Sequence, residues 1–335
     1  LLISRQHGRL PYPEGTACAE VLVAGDKGGT EAKTVFMGLG IGSLYEFLMN
    51  GLKLWNFRPS WDIPFYKGGK IIGEITPALL GVGYIIGSRI SAIMLSGGAL
   101  AWLVIIPLMM AVGKDSTEPI YPAKILISQM SIKDIWHYYI RYIGAGAVAF
   151  GGMITLVRAI PTIVETFKTG LRKVSNKNRK NEERTDRDLP MLVVIGGAVI
   201  LGICLWLVLS FWTATEIRII PNLLVAFLMV IFSFFFVTVS SRIVGLIGSS
   251  SNPVSGMTIT TLLLTSLIFS LLGWTSDAHM VIALSVGAVV CISIAIAGDT
   301  SQDLKTGFLV GATPWKQQIG EFIGVLTSAI FVGWV

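Results

Sequence analysis

Residues Asn222–Ser241 read NLLVAFLMVIFSFFFVTVSS, without one charged side chain. The run reaches the ~20 apolar residues a helix needs to cross a bilayer core. Met191–Phe211, Gly256–Trp274 and Met280–Gly298 are equally free of charge, and Ile75–Gly113 carries only Arg89. As one straight helix that last run would be about 58 Å long, roughly twice a bilayer core. It therefore predicts a reversal near Ser88–Ser91 or Ser96–Gly98, with Arg89 reaching out to the interface. Val35–Leu54, Tyr138–Ile160 and Gln318–Val335 bring the expectation to about nine spans by the length rule. The fold class expected is all-α: a polytopic transmembrane helix bundle, one domain over residues 1–335, with broken or re-entrant segments.

Composition points the same way. Hydrophobic residues are 53% and charged residues 14% of the chain, where a soluble domain carries about 25% charged residues. So little charge cannot clothe an aqueous surface, so lipid is the expected outer solvent and the expected location is a multi-pass integral position in a bacterial inner membrane. The 37 glycines suit close helix packing. The net charge of +6 is not gathered into a basic, aromatic-interleaved segment, so nucleic acid is not an expected partner. Cys18, Cys204 and Cys291 form no CxxC pair, and His7, His137 and His279 are scattered, so neither a metal site nor a cofactor is expected. The sequence has no Gly-x-x-x-x-Gly-Lys-Ser/Thr, Gly-x-Ser-x-Gly or His-Glu-x-x-His, which argues against an ATPase and against an enzyme. The chain opens on Leu1 and closes inside the apolar stretch Ile323–Val335, which reads as a fragment of a longer protein.

Charge also suggests an orientation. Residues 161–190 hold Lys168, Arg172, Lys173, Lys177, Arg179, Lys180, Arg184 and Arg187. This reads as a solvated basic linker between helix groups, on the cytoplasmic side. Alternation then places Leu1–Thr34, Arg242–Ser255 and Asp299–Gln317 on that side too.

Three polar segments fall there. In Leu10–Leu22, LPYPEGTACAEVL, two prolines stop any upstream helix and Thr16 reads as the cap of a helix through Ala17–Ala24. Glu14 then lies beside a helix N-terminus, next to the turn-permitting Gly15. The same pattern also fits an ordinary capped helix with a surface glutamate. In Gly245–Gly256, GLIGSSSNPVSG, a wholly uncharged polar stretch joins two charge-free helices. Irregular backbone at membrane depth survives where it is buried or lines a cavity, and there it offers carbonyls, hydroxyls and a helix start to a ligand. Ser251, Asn252, Pro253 and Gly256 belong to this break. Periodicity does not separate it from a tight turn at the surface. The third segment, Gly298–Gly324, holds Asp299, Gln302, Asp303 and Lys305 between two spans. Asp303 and Lys305 could pair or receive a coupling cation, and a solvated loop fits equally. Glu46 sits near the middle of Val35–Leu54. A carboxylate at that depth needs a cavity, a partner or a proton.

A weak internal echo links Ala24–Phe36 with Ala297–Phe308, each downstream of a Pro–Gly turn at Pro13–Thr16 and Pro253–Thr258. An internal repeat of the kind transporters use is expected from it.

Pro11–Leu22 (PYPEGTACAEVL), Gly248–Thr258 (GSSSNPVSGMT) and Gly298–Gly324 (GDTSQDLKTGFLVGATPWKQQIGEFIG) together resemble the oligopeptide transporter family, whose members include the yellow-stripe-like metal-chelate transporters. The resemblance covers essentially the whole chain and is closer to the prokaryotic branch. It implies a many-helix carrier, built by duplication, of roughly twice this length. It also implies proton-coupled uptake of small peptides or of metal bound to a chelator. The matching motif positions are Pro13, Glu14, Gly15, Asn252, Pro253, Gly256, Asp299, Gln302, Asp303 and Lys305. A channel and an intramembrane enzyme are the alternatives to a carrier.

Overall fold

Glycine and proline set where the apolar runs of this chain are interrupted. The computed structural model describes residues 10–66, 68–175, 184–212 and 219–334. Its helices are α1 Pro13–Lys27, α2 Gly29–Glu46, α3 Pro77–Ala99, α4 Ile106–Gly113, α5 Ile132–Ile135, α6 Arg141–Ser175, α7 Met191–Trp212, α8 Ile219–Ile247, α9 Val254–Leu271, α10 Asp277–Leu309 and α11 Pro314–Val332. A two-stranded antiparallel hairpin, β1 Ser60–Asp62 and β2 Lys70–Ile72, pairs Ser60 with Ile72. The protein is all-α apart from this hairpin. Among the described residues, five segments are long and apolar enough to cross a membrane: Pro77–Gly113, Met191–Phe211, Asn222–Ile247, Val254–Leu271 and Asp277–Leu309. The other expected spans lie in α2, α6 and α11, which are not among these five.

The chain divides into two compact units, Glu20–Ala147 and a second made of Leu1–Ala19 with Val148–Val335. In Glu20–Ala147, buried Ile106, Ile127, Met130 and Ile135 form a small core. Thr76 accepts from the Leu79 amide at 3.2 Å and caps α3, with Pro77 in its first turn. Gly87 then adopts φ +79 inside α3, a value glycine tolerates and other residues resist. The Ser91 hydroxyl reaches the Gly83 carbonyl at 3.4 Å, although eight residues of straight helix would separate them by about 12 Å. The segment is bent sharply at Gly87, beside the expected Ser88–Ser91 reversal.

The second unit is built on α7–α10. Ile282, Val286, Val290 and Ile294 recur every fourth residue on α10 and are almost fully buried, the spacing of one helical face. They pack with Val225, Met229, Phe236 and Val239 of α8 and Met257 and Phe269 of α9. Ser293 donates to Ser233 at 3.2 Å and Ser301 to Ser241 at 3.0 Å. Both numbers advance together, so α8 and α10 run parallel and α9 returns between them. At Gly287 an added Cβ would lie 2.6 Å from the Leu262 side chain, so α9 and α10 meet with little between their backbones.

Two boundaries differ from expectation. The segment Asp299–Gln317, expected as a loop, is helical through Leu309; the turn comes at Val310–Thr313, where Gly311 has φ +73. Charge there marks the exposed side of a helix, and only the turn around Gly311–Pro314 was rightly placed. The linker expected over 161–190 begins as helix, since α6 continues to Ser175. Its Lys177, Arg179 and Lys180 lie outside the described residues, as does His7. Farther on, Arg184 donates to the Gly311 carbonyl at 2.7 Å, and the Trp315 amide donates to the Arg187 carbonyl at 3.2 Å.

Phe236 is 1% exposed and meets Phe235 edge-on at 4.8 Å between ring centroids. Phe236→Ala should destabilise the protein by about 3 kcal/mol through the cavity it leaves. A lowered unfolding midpoint in detergent, compared with wild type, is the expected result.

Candidate functional site

The uncharged stretch of the sequence becomes a six-residue break. Helix α8 ends at Ile247, Gly248 takes φ +87, and α9 begins at Val254. A helix end leaves its last four carbonyls and a helix start its first four amides without intrahelical partners. Here the start of α1 comes to the end of α8. The Tyr12 amide donates to the Gly245 carbonyl at 2.9 Å. The Tyr12 ring, 3% exposed, closes over Gly245, where a Cβ would come within 3.1 Å of it. This docking holds Tyr12 at φ +47, a left-handed conformation that costs a non-glycine residue about 1–2 kcal/mol.

Helix α1 starts at Pro13, earlier than Thr16 was expected to start it. Thr16 is inside the first turn, and its hydroxyl donates to the Pro11 carbonyl at 2.7 Å. The earlier start turns Glu14 toward the break. One of its carboxylate oxygens, Oε2, accepts from the Ser249 amide at 2.7 Å and from the Ser249 hydroxyl at 2.6 Å. The other, Oε1, accepts from the Ser250 amide at 2.9 Å. Burial pushes the Glu14 carboxyl up, but these donors outweigh it and hold the group below the ordinary glutamate range.

Gln302, on the buried face of α10, ties the same elements from the other side. Its Oε1 accepts from the Gly15 amide at 2.8 Å, and its Nε2 donates to the Val244 carbonyl at 3.0 Å. The Thr306 hydroxyl, one helical turn on, donates to the Gly15 carbonyl at 2.9 Å. A Cβ at Gly15 would fall 2.3 Å from the Gln302 carbonyl oxygen, so this contact requires glycine.

Asn252 reaches the other way, into the parallel helix pair. Its Nδ2 donates to the Ser240 hydroxyl at 2.9 Å, and that hydroxyl donates to the Ile294 carbonyl at 3.0 Å. The Asn252 Oδ1 is buried and has no hydrogen-bond partner. Ser251 and Pro253 are half-buried within the break. The Gly256 carbonyl accepts from the Thr260 hydroxyl at 2.9 Å, and Thr261 and Thr265 bond back in the same way, so the α9 threonines are served within their own helix.

Asp303 and Lys305 are not a pair. Residues two apart on a helix point to different faces: Asp303 is exposed, and Lys305 is 3% exposed. The Lys305 Nζ lies 5.8 Å from the Tyr12 ring centroid and 5.7 Å from that of Phe308. The Asp303 main-chain carbonyl accepts from the Gln317 side-chain amide. Asp299, one turn before Asp303, is exposed. Glu46 belongs to the Glu20–Ala147 unit, at the end of α2. It accepts from the Asn50 amide at 2.6 Å and is half-exposed. The two Pro–Gly elements of the echo each open a helix, α1 and α9. The Gly-Asp elements differ, since Gly28 and Gly29 break the chain with positive φ while Gly298–Asp299 continues α10.

Glu14, Gly15, Asn252 and Gln302 are thus brought together with Tyr12, Gly248, Ser249, Ser250 and Thr306, which sequence reasoning had not singled out. The signal for Tyr12 was its place between two prolines.

The family described as OPT oligopeptide transporter protein matches residues 1–335. A Haemophilus influenzae protein carrying the provisional name oligopeptide transporter is 30% identical, over 97% of this chain and 53% of its own length. Two rice proteins with the provisional names metal-nicotianamine transporter YSL14 and YSL13 are 26% and 24% identical, over 94% and 96% of this chain and 45% and 46% of their own lengths. The chain spans about half the length of the curated relatives it matches. No solved structure matches it.

Two outcomes are expected from this geometry. Gly15→Ala should lower the unfolding midpoint sharply, because the added methyl meets backbone rather than a side chain that can swing away. The Glu14 contribution has a sign set by its lowered pKa: it is complete above the ordinary glutamate value and is lost as pH falls through the folded value. The stability gap between wild type and Glu14→Gln, followed by thermal unfolding at stepped pH, should therefore narrow on acidification.

Proposed function

We propose that this chain, which belongs to the OPT oligopeptide transporter family, works as a secondary active carrier of small oligopeptides or metal-chelate complexes, driven by protons, in a bacterial inner membrane. The observation that carries the reading is the uncharged break at Gly248–Pro253, set between the apolar helices α8 and α9 and met by the start of α1. Broken helices in apolar bundles are where secondary transporters place substrate and coupling ion. Charge distribution favours the cytoplasmic side for this end of the bundle.

In this reading Ser251, Asn252, Pro253 and Gly256 shape the pathway wall, and the buried Asn252 Oδ1 is an acceptor available to a ligand donor. Gln302 and Gly15 position the α1 start. Lys305, beside Tyr12, supplies a buried positive charge to the same region. Asp299, Asp303 and Glu46 are the carboxylates assigned to proton handling, with Glu46 the one within the α2 span.

Uptake by the full-length protein in proteoliposomes tests the reading. Saturable uptake of dipeptides or of a metal-chelate complex, accelerated by an inward proton gradient, is expected. Flux that does not saturate would favour a channel. Glu46→Gln should abolish the gradient dependence, and unchanged pH dependence with normal expression would remove Glu46 from that role. Asn252→Ala should reduce uptake at least tenfold, or about 1.4 kcal/mol, with a near-normal unfolding midpoint; wild-type uptake would make Asn252 a turn residue.

A further inference from the structure

We infer that the Gly248–Ser250 turn is a carboxylate-binding site, filled here by the carboxylate of Glu14, and that a carboxylate of the transported solute takes Glu14's place. The second half of this rests on the carrier reading above.

The turn is shaped as an acceptor site. Three donors from two adjacent residues, the Ser249 amide and hydroxyl and the Ser250 amide, converge on both oxygens of one carboxylate at 2.6–2.9 Å. Such lengths mark charge-assisted hydrogen bonds. Successive amides in a turn make a concave anion cradle of this kind. Gly248 both turns the chain and leaves the room: a Cβ there would stand 2.8 Å from the Glu14 Oε1. None of the three donors is specific to a glutamate side chain. Any carboxylate that reaches the turn meets the same set.

Glu14 is also dispensable for holding α1. The α1 start is fixed by the Tyr12–Gly245 bond, by the Gly15–Gln302 bond and by the Thr306–Gly15 bond. These join backbone to backbone or to α10 and do not involve the Glu14 side chain. Its carboxylate can rotate out of the cradle while the helix stays in place. The cradle has an open side, since Ser250 is exposed and Glu14 and Ser249 are only half-buried. The surroundings favour an anion: Arg242 acts electrostatically on Tyr12, and the Lys305 Nζ lies 5.8 Å from the Tyr12 ring. Glu14 is then a resident competitor. It keeps the amides satisfied in the empty carrier and yields to a solute carboxylate.

The test uses full-length protein in detergent, with acetate and then dipeptides as probes. Glu14→Ala should unfold at lower temperature than wild type, and sodium acetate, against sodium chloride at equal ionic strength, should restore the variant and leave wild type unmoved. If Glu14→Ala does not yield folded protein, Glu14→Gln takes its place. Gly248→Ala added to the variant should abolish the rescue by filling the cradle. Dipeptides with a free C-terminus should bind the variant more tightly than wild type, by up to about tenfold for a cradle nine-tenths occupied by Glu14. The same dipeptides with an amidated C-terminus should show no gain. No acetate rescue would overturn the carboxylate site. Rescue with equal gains for free and amidated peptides would leave an adventitious ion only, and overturn the exchange. Rescue without any binding of dipeptides or of a metal-chelate complex, to wild type or variant, would keep the cradle and overturn the carrier reading.

Discussion

A helix interrupted inside an apolar bundle leaves amides and carbonyls that neither lipid nor packed side chains can serve, and each such group costs several kcal/mol if abandoned. The second unit of this protein is arranged around that debt at the end of α8. The Gly245 carbonyl is met by Tyr12, the Val244 carbonyl by Gln302, and the amides of Ser249 and Ser250 by Glu14. The start of α1 has unpaired amides of its own, and Gln302 accepts from one of them. Two helix ends with opposite needs are thereby joined through one side-chain amide, which has a donor and an acceptor to give. The strained Tyr12 conformation and the intolerant Gly15 both follow from how closely the two ends must approach.

The parallel pairing of α8 and α10 makes this junction possible. Their serines meet at matched heights, Ser233 with Ser293 and Ser241 with Ser301, while the valines and isoleucines between fill the interface. Because the helices run in the same direction and α10 continues to Leu309, its last turns rise past the end of α8. Gln302, Lys305 and Thr306 project from that extension toward Tyr12 and Gly15. A loop in this place, as the charges of Asp299, Asp303 and Lys305 suggested, would hold none of them in register. Asn252 uses the same pairing from below, since its partner Ser240 is itself held by the Ile294 carbonyl.

The apolar helices and the break between α8 and α9 were legible because they rest on local rules: freedom from charge over a bilayer's length, and glycine, serine, asparagine and proline where a helix cannot continue. Glu14 was legible as a carboxylate in a first helical turn. Its donors were not, because a contact between residues 235 positions apart leaves no trace in periodicity. The α10 boundary was misread for a physical reason. Charged residues signal water, and water can be met on one side of a helix as readily as in a loop. Thr16 was misplaced because Pro13 is itself a favoured first residue of a helix, which made the hydroxyl cap unnecessary. Family membership was carried by the same three motifs that the structure gathers into one unit.

The Gly15–Gln302 bond also has a place in time. The two residues are separated by 287 positions, and at about 5–20 residues per second the ribosome needs roughly 15–60 s to deliver the second after the first. For that interval the amides of the α1 start have water, the nascent helix's own fraying or the translocation machinery as company, and Tyr12 has no reason to adopt its left-handed conformation. Helices α2 to α9 must be laid down before the first turn of α1 can be locked. The earliest motif to be made is among the last to be finished, so the closing of this junction reports that the whole second unit has been assembled.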